Sequence, residues 1–415
     1  ALVNEPTFDS LVEKIGFVCA HECLCVLADL GLCYRSGKCN AGHGSRLGQE
    51  LDMTTRERKM AIGLMSGTSM DGVDAALVET DGTDIFGLGP FQSIPYPPAF
   101  RSRLKTLMGR PYNGEGLDLE RDLTLYHAEA VHRLLADTGL QPDEVDVAGF
   151  HGQTVFHDPV NAVTCQIGDG PLLASETGID VVSDFRAADV AAGGEGAPLA
   201  PLFHVAMAQT LERPLAILNM GGVANVTWIS PDGGAIAFDT GPANAMVDDW
   251  VRARTDLNFD EGGALARQGQ VNKIALAALM DNPYFDLPAP KSLDRDAFEM
   301  SPVAYLSTED GAATLLAFTA ASIAQAQGLL PAPPLRWLAT GGGRLNPALM
   351  AAVRHQLAAP LEPVEAVGWN GDALEAQAFA YLAVRSIYGM PLSYPQTTGV
   401  RQPITGGVFH AANGA

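Results

Sequence analysis

The sequence predicts an α/β protein assembled from two similar halves, and three observations support this fold class. Buried strands and amphipathic helices alternate over residues 60–157. An apolar strand, a polar glycine corner and a second strand occur at 61–79 and again at 215–229. A further strand, followed by three glycines and a helix, occurs at 336–353. Repetition of the same strand–corner–strand unit indicates a duplicated fold.

Composition and charge narrow the class of protein. With 415 residues, 47% of them apolar, the chain can form one to three domains with a sizeable core. Its formal net charge of −22 makes a nucleic-acid backbone or an anionic membrane an unsuitable partner. We find no apolar run of the roughly 18 residues needed to cross a bilayer, so we expect a soluble protein.

The first 59 residues differ from the rest of the chain. They contain five of the six cysteines, and the rest contains only Cys165, which favours a reducing compartment such as the cytoplasm. A zinc site is one alternative, but H-x-C-x-C is not a recognised ligand spacing and no CxxC pair occurs. Because Met60 directly precedes the first core strand, we expect 1–59 to be a poorly ordered extension with a short helix at 8–30.

The first strand–corner–strand unit is the segment 63–82, with strands predicted at 61–65 and 73–79. Its glycines let the backbone approach a ligand, and its N–H groups and hydroxyls form a concavity that suits an anion. The unit has neither the spacing of a P-loop nor that of a GxGxxG turn, and a simple hairpin with a polar turn remains an alternative. The candidate phosphate-binding residues are Gly67, Thr68, Ser69, Met70, Asp71, Gly72, Val73 and Asp74. Asp71 and Asp74 are also candidates to hold Mg²⁺ through water.

The elements that follow complete one sheet. A third strand is predicted at 85–94, a helix from about Phe100, a second helix at 118–138 and a buried strand at 145–150. Three strands, a helix, a strand and a helix form an order typical of a ribonuclease-H-like domain with a mixed sheet between helices.

The second unit repeats this order, with strands at 215–229 and a third strand within 234–244. The downstream glycine run opens a helix, where backbone amides and the helix dipole can face a nucleotide. Close strand–helix packing would explain one such turn, but it explains three glycine corners in a duplicated fold less well. The candidate ATP-binding residues are Asn219, Gly221, Gly222, Asn225, Gly341, Gly342, Gly343 and Asn346. Asn346 is also placed to cap the helix before Pro347.

Two facing hairpins and a downstream glycine turn resemble the nucleotide cleft of the actin, hexokinase and Hsp70 superfamily. Within it, residues 60–415 resemble the 1,6-anhydro-N-acetylmuramic acid kinases. Ala243 stands where that family usually has glycine, and Thr340 where cysteine is common. The resemblance rests on MSGTSMDGVD (65–74), HGQT (151–154), DFRAADVAAGGEGAPLAP (184–201), NMGGVANVT (219–227), DTGPAN (239–244), GGGRLNPALM (341–350) and EAQAFAYLAVR (375–385).

The resemblance implies a cytoplasmic, homodimeric enzyme of peptidoglycan recycling that uses ATP and Mg²⁺. Water would open the anhydro bridge of the sugar while the released O6 takes the γ-phosphoryl group, giving N-acetylmuramic acid 6-phosphate. Since phosphate captures the leaving oxygen, one general base could suffice, unlike the two carboxylates of ordinary glycosidases. Residues that match motif positions near the sugar are His151, Gln153, Thr154, Asp184, Arg186 and Glu375.

Asp239 is the expected general base, because it matches the family's catalytic aspartate and follows an apolar strand at 235–238. Residues 240–242 are expected to turn the chain into a helix there. Capping that helix or ordering Mg²⁺ is the alternative role for Asp239. Arg186 is expected to fork onto the lactyl carboxylate of the sugar. Asp184 is the rival base, although it could serve only as the ion-pair partner of Arg186.

The domain organisation follows from the duplication. We expect a first ribonuclease-H-like domain at 60–200, a second at 201–375 and a C-terminal segment, 376–415, that packs back on the first. The glycine-rich stretch 193–201 is the expected hinge. Another sugar or acyl-group kinase of the superfamily, or an actin-like or Hsp70-like binding protein, remains an alternative, though no lever subdomain or peptide-binding module follows the second repeat.

Overall fold

A computed structural model describes residues 56–67, 69–112, 114, 116–295 and 297–412. The predicted helix at 8–30, the cysteine cluster and Thr68 lie outside these residues. The strands are β1 (Lys59–Ser66), β2 (Gly72–Thr80), β3 (Ile85–Pro95), β4 (Val147–Asp158), β5 (Val163–Ile167), β6 (Val181–Ser183), β7 (Leu215–Met220), β8 (Val223–Ile229), β9 (Ala235–Pro242), β10 (Trp337–Thr340), β11 (Leu361–Pro363) and β12 (Val408–His410).

Helices connect and cover these strands. The α-helices are α1 (Pro98–Lys105), α2 (Leu117–Thr138), α3 (Gly170–Thr177), α4 (Ala187–Ala191), α5 (Pro201–Met207), α6 (Asn244–Arg254), α7 (Lys273–Met280), α8 (Thr308–Ala326), α9 (Pro347–Gln356), α10 (Leu374–Ile387) and α11 (Pro395–Thr398). The 3-10 helices span Pro142–Glu144, Pro159–Asn161, Glu261–Gly263, Ala266–Gln268, Pro283–Asp286, Ser301–Val303, Gln327–Leu329, Gly342–Leu345 and Val364–Val367.

The strands form two sheets with the same topology. In the first sheet, β3, β2 and β1 form an antiparallel meander, and β4 and β6 continue it as parallel strands beside β1. In the second, β9, β8 and β7 form the meander, and β10 and β11 add in parallel beside β7. This duplicated order confirms the predicted α/β fold with two ribonuclease-H-like halves.

The C-terminal strand β12 pairs antiparallel with β6, and the hairpin strand β5 pairs with β4. Because β4 and β6 pair in parallel, their carboxyl ends lie at the same edge of the first sheet. Ligands of open α/β sheets bind at the carboxyl ends of their strands, so this edge is where a site is expected.

The first sheet is buried on both faces. On one face, α2 packs Leu123, Val131 and Leu134 against the sheet, in keeping with the predicted helical period. On the other face, α10 approaches the strands at backbone distance. A Cβ at Gly63 would lie 1.7 Å from the Ala376 carbonyl oxygen, so glycine is required for this contact.

Helix α8 forms the centre of the second core. It contributes Leu315, Phe318 and Ile323, all buried, to a cluster with residues of β7, β8 and β9. The stretch Thr308–Leu329 is long and apolar enough to cross a membrane by length and composition, although polar residues interrupt it, and 61% of its most apolar window is buried within the protein. An alanine-rich core helix satisfies the same criteria because the protein interior is also apolar.

Several predicted boundaries need correction. Strand β4 continues through the HGQTVFH motif, and β9 continues through residues 240–242, so Asp239 lies inside a strand and not at its end. The predicted extension is also too long at its C-terminal end. Lys59 belongs to β1 and pairs with Asp146 at 2.9 Å, and the Tyr388 hydroxyl donates to the Glu57 carbonyl at 2.6 Å.

Candidate active site

Buried side-chain hydrogen bonds fix the corner between β1 and β2. The Tyr96 hydroxyl donates to Ser66 Oγ at 3.0 Å, and Ser66 Oγ donates to Gln153 Oε1 at 2.7 Å. Gln153 Nε2 donates to the carbonyl oxygens of Gly67 and Thr154, each at 3.2 Å. Gln153 is fully buried and both ends of its amide are engaged, so it supports the corner, and its contact with the sugar stays a prediction.

The corner itself contains both exposed and buried residues. Ser69 and Asp71 are exposed, and Ser69 Oγ donates to Asp71 Oδ1 at 2.8 Å. Met70, at a φ of 53°, is buried, and the Val73 side chain lies in the core. A Cβ at Gly72 would lie 2.3 Å from a backbone carbonyl oxygen of β3. The side-chain positions of these last three residues therefore serve packing, and the exposed pair is left to meet a ligand.

Asp74 follows the corner on β2, and its pKa is raised to about 7. Burial is the main cause, and the negative charges of Asp71, Glu375 and Asp372 add to it, whereas a hydrogen bond with Ser93 opposes it. Within the described ranges, no three acidic, histidine or cysteine side chains are grouped to hold a metal directly. The donor set fits Mg²⁺ bound through water, since Mg²⁺ usually keeps several waters and takes one or two carboxylates.

The second corner, between β7 and β8, is docked on the start of α6. The Asn244 and Ala243 amides donate to the carbonyl oxygens of Gly221 at 3.0 Å and Gly222 at 2.9 Å. Asn244 Nδ2 donates to the carbonyl oxygens of Met220 at 2.8 Å and Gly221 at 2.9 Å. The carbonyls of the corner are therefore bound to the start of α6, which orients this predicted ATP-binding turn.

Asn219 connects the second corner to the start of α10, the helix that packs on the first sheet. Its Nδ2 donates to Glu375 Oε1 at 2.9 Å, and its buried Oδ1 has no hydrogen-bond partner in the structure. Glu375 remains accessible to solvent, yet partial burial by the surrounding protein raises its pKa. The negative charge of Asp71 raises this pKa further, whereas the Asn219 hydrogen bond and the Arg186 charge lower it. Glu375 therefore lies between the two corners, beside both predicted sets of ATP and sugar residues.

The glycine run after β10 forms a 3-10 turn before α9 begins. Gly341 has a φ of 74°, and a Cβ there would lie 2.3 Å from Asn219 Oδ1. Gly342 and Gly343 belong to the 3-10 turn, so they do not open the α-helix directly as predicted. Asn346 Oδ1 accepts from two amides of α9, each at 3.1 Å, which confirms it as the N-cap and leaves that oxygen engaged.

His151 and Arg186 form a pair at the carboxyl edge of the first sheet. Arg186 Nε donates to His151 Nε2 at 3.1 Å, and His151 Nδ1 donates to the Gly152 carbonyl oxygen at 2.8 Å. Burial and the nearby Arg186 charge hold the pKa of His151 well below its ordinary value, so the imidazole is neutral. Thr154 is half-buried, and its Oγ1 accepts from Gln166 Nε2 at 3.2 Å.

Arg186 keeps its charge in this environment. Burial lowers its pKa to about 10, and the carboxylates of Glu375, Asp239 and Asp189 counteract that effect. Its Nη1 donates to the Gly196 carbonyl oxygen at 2.7 Å, which leaves the remaining donors of the fork for an anion.

Asp184 is not placed as the ion-pair partner of Arg186 that we considered. Its exposed carboxylate accepts a hydrogen bond from the Ala187 amide at 3.4 Å, and the residue has a φ of 53°. Positive φ is uncommon outside glycine, and such backbone strain clusters at functional sites.

Asp239 is enclosed on β9, opposite the half-buried Asn225 of β8. The residue is 7% exposed, and its Oδ2 accepts from the Leu293 amide at 2.8 Å. Burial raises its pKa to about 7, and the negative Glu195 adds to the rise, whereas the Leu293 amide, Arg186 and Lys291 lower it. Helix α6 has no side-chain cap, so Asp239 does not cap it.

A segment that sequence reasoning missed, Lys291, Ser292 and Leu293, surrounds Asp239, and we call it the 291–293 strap. Lys291 O accepts from the Asp239 amide at 2.9 Å, and Ser292 Oγ donates to Glu195 Oε2 at 2.6 Å. Lys291 is buried and its Nζ donates to the Tyr284 carbonyl oxygen at 2.9 Å. The sequence KSLD carries no motif spacing that would have indicated this role, and Glu195 was interpreted only as part of a hinge.

The fold and the site together define a class of protein. Two ribonuclease-H-like halves each present a glycine corner, the neutral His151 and Asp239 lie on β4 and β9, and Arg186 and Glu375 lie at the starts of α4 and α10. Backbone amides, a cation and carboxylates are the groups with which phosphotransferases position a phosphoryl group and neutralise its charge.

Comparison with known proteins gives the family. The family model described as anhydro-N-acetylmuramic acid kinase matches residues 59–412. The chain is 56% identical to the anhydro-N-acetylmuramic acid kinase of Rhodospirillum rubrum, over 85% of this chain and 94% of the relative. It is 56% identical to that of Paramagnetospirillum magneticum, over 85% of this chain and 99% of the relative. The chain belongs to the anhydro-N-acetylmuramic acid kinase family, and it is a kinase.

Solved structures are more distant. The activator of the 2-hydroxyisocaproyl-CoA dehydratase from Clostridium difficile with bound ADPNP has a TM-score of 0.40 and 13% identity, over 78% of this chain and 94% of that chain. No assignment rests on that likeness.

Proposed function

We propose that this protein converts 1,6-anhydro-N-acetylmuramic acid, ATP and water into N-acetylmuramic acid 6-phosphate and ADP in the cytoplasm, as a step of peptidoglycan recycling. Water attacks the anomeric carbon and the C1–O6 bond breaks. The released O6 forms a bond to the γ-phosphorus of ATP, and ADP leaves. The names of the relatives, at 56% identity over most of the chain, support this substrate.

The observation that carries the mechanism is the environment of Asp239. A general base is most effective when its pKa lies near the working pH, and burial places that of Asp239 at about 7. The Leu293 amide fixes one carboxylate oxygen, so the other oxygen has a defined direction. Asp239 would take the proton of the attacking water. The phosphoryl group captures O6, so no second carboxylic acid is needed for the leaving oxygen.

Arg186 would hold the lactyl carboxylate of the sugar. Its Nε and Nη1 are fixed by His151 and Gly196, so the remaining face of the guanidinium is presented in a constant orientation. The exposed corner residues Ser69 and Asp71 would lie beside the ATP phosphates, together with the backbone of the second corner. Mg²⁺, held through water by Asp71 and Asp74, would supply charge neutralisation for phosphoryl transfer.

Asp184 is the competing base. Its exposure would give it direct access to a water molecule, and its strained backbone is a feature found at functional sites. We favour Asp239 because its surroundings tune it to neutral pH and tie it to Arg186 through charge. Asparagine at either position keeps the side-chain shape but cannot accept the proton, so the two variants separate the assignments.

A mass-spectrometric assay in ¹⁸O-water tests the reaction and the base together. The expected product carries both one phosphoryl group and one ¹⁸O atom at C1. Asp239→Asn should lower kcat by at least about 10²-fold while ATP and sugar still bind. A product without phosphate or without ¹⁸O would contradict the reaction. An inactive Asp184→Asn beside an active Asp239→Asn would transfer the role to Asp184.

The organisation proposed with this function has two domains, 60–200 with 376–415 and 201–375, in a homodimer that binds neither nucleic acid nor membranes. Pairing of β12 with β6 supports the return of the C-terminal segment to the first domain. Sedimentation velocity at micromolar concentration tests the dimer, and a single monomeric species would contradict it.

A further inference from the structure

Glu195 is a carboxylate that the proposed mechanism does not use, yet its backbone is fixed firmly. It lies in the crossing segment, residues 193–198, which connects the first half to the second. Its amide donates to the Thr398 carbonyl oxygen at 2.6 Å, and its carbonyl oxygen accepts from His157 Nε2 at 2.9 Å. The next residue, Gly196, donates its amide to Asp189 Oδ1 at 2.6 Å and accepts from Arg186.

The Glu195 side chain reaches from this fixed backbone to the strap around Asp239. Ser292 Oγ donates to Glu195 Oε2 at 2.6 Å, and both residues are half-buried. The neighbours of Ser292 on either side, Lys291 and Leu293, both hydrogen-bond Asp239. One short stretch therefore contacts Glu195 through its middle residue and Asp239 through its ends.

We propose that Glu195 is a positioning residue for Asp239: it anchors the 291–293 strap that hydrogen-bonds Asp239, and its negative charge acts on the Asp239 carboxylate. This inference rests on the proposed function only where it concerns turnover. Its core is a statement about Asp239 itself, which can be measured without catalysis.

The charges that face Asp239 determine the direction of the effect. Two positive charges favour the ionised form of the Asp239 carboxylate: Arg186, which precedes α4, and Lys291 of the strap. The negative charge of Glu195, in the crossing segment, disfavours it. The Tyr284 hydroxyl is neutral and donates to the Asp239 carbonyl oxygen at 2.6 Å. Removing the Glu195 charge leaves two cations unopposed, so Asp239 should ionise at a lower pH.

Glu195→Gln separates charge from hydrogen bonding, because its amide oxygen can still accept from Ser292. The measurement is the ¹³C carboxyl titration of Asp239 in protein labelled at aspartate, with the resonance assigned by its loss in Asp239→Asn. In Glu195→Gln the titration midpoint should fall below that of the wild type. Ser292→Ala, which removes the bond and keeps the charge, should leave the midpoint closer to the wild-type value.

Glu212→Gln is the matched control, since Glu212 is exposed before β7, at the opposite end of that strand from the corner. Its midpoint should equal the wild-type value. Glu195→Ala is the second charge-removing variant and should move the midpoint in the same direction as Glu195→Gln. An unchanged midpoint in both Glu195 variants would overturn the proposal.

The pH profile of kcat/KM then separates this proposal from the proposed function. If Asp239 is the base, the acidic limb of the kcat/KM profile in Glu195→Gln should shift to lower pH together with the Asp239 titration midpoint. The ratio of kcat/KM at pH 6 to its plateau value should then rise by about twofold or more. A shifted titration with an unshifted limb would support the role of Glu195 and contradict Asp239 as the base.

Discussion

Among single residues, Asp239 is held in surroundings that disfavour its charge. Its pKa is raised from 3.8 to about 7, so between these pH values the native state binds a proton that the unfolded chain has released. Stability from this group is therefore present below about pH 4 and is lost as the pH rises through about 7. Active sites often contain groups like this one, which lower the stability of the folded protein but are needed for activity.

Asp239→Asn should for this reason be more stable than the wild type in alkaline solution. The uncharged amide removes the cost of ionisation and can still accept from the Leu293 amide. We expect the stability gain over the wild type to be larger at pH 8 than at pH 5, by at least about 1 kcal/mol. Urea unfolding at both pH values measures it, and an equal difference at the two would show that Asp239 is not destabilised by burial.

Arg186→Lys tests recognition at the same scale. Lysine keeps the positive charge but lacks the planar guanidinium, which can bond to His151 and Gly196 and still offer donors to a ligand. We expect the KM for the anhydro sugar to rise by about tenfold or more, with the KM for ATP changed by less than about threefold. Steady-state kinetics with each substrate varied gives both values. Equal rises in both constants would mean that Arg186 supports the whole cleft and not the sugar.

Among the elements, the contact of α10 with the first sheet depends on glycine. A Cβ at Gly149 would lie 2.1 Å from the Phe379 carbonyl oxygen, which no side-chain movement can relieve. Gly149→Ala should cost about 3 kcal/mol or more, because the helix must move off the sheet. Gly328→Ala is the control, since a Cβ there meets nothing within 4 Å. Thermal unfolding should show a large fall in Tm for the first and almost none for the second.

The same scale shows how far the sequence could predict the structure. Both hairpins and the strand order follow from local signals, since apolar runs and glycine corners specify strands and turns wherever they occur. The role of Gln153 was missed because β4 continues past the expected strand end and carries this side chain behind the corner. The Glu195–Ser292 bond joins residues 97 positions apart, and no spacing rule connects them. Motifs indicated the positions of Asp239 and Arg186. The residues that surround them come from distant parts of the chain, so they could be identified only from the folded structure.

At the scale of the whole molecule, we predict that the segment needed for the kinase fold begins at Arg56. Arg58 lies 3.8 Å above the Phe86 ring centroid, and Lys59 pairs with Asp146. A chain lacking residues 1–55 should therefore keep the activity and Tm of the full chain. A chain that begins at Met60 loses these contacts and should have a lower Tm. Loss of activity in the longer of the two chains would contradict this limit.

Among the described residues near the site, two side-chain hydrogen bonds join the second half to elements of the first half. Asn219 bonds Glu375 at 2.9 Å, and Ser292 bonds Glu195 at 2.6 Å. Water must reach the anomeric carbon, yet it must not take the phosphoryl group from ATP, and closure over both substrates satisfies these two requirements. An open free state and a closed ternary state are therefore expected.

Small-angle scattering on Asp239→Asn measures this closure with the natural substrates, because the variant should bind ATP and the anhydro sugar without turnover. The radius of gyration should fall when both ligands are present and fall less with either one alone, since we expect full closure only when both sites are filled. The free variant and the free wild type serve as controls and should agree. If the radius of gyration is the same in all four states, the site is already closed and water must be excluded by the fixed positions of Arg186, Asp239 and Glu375.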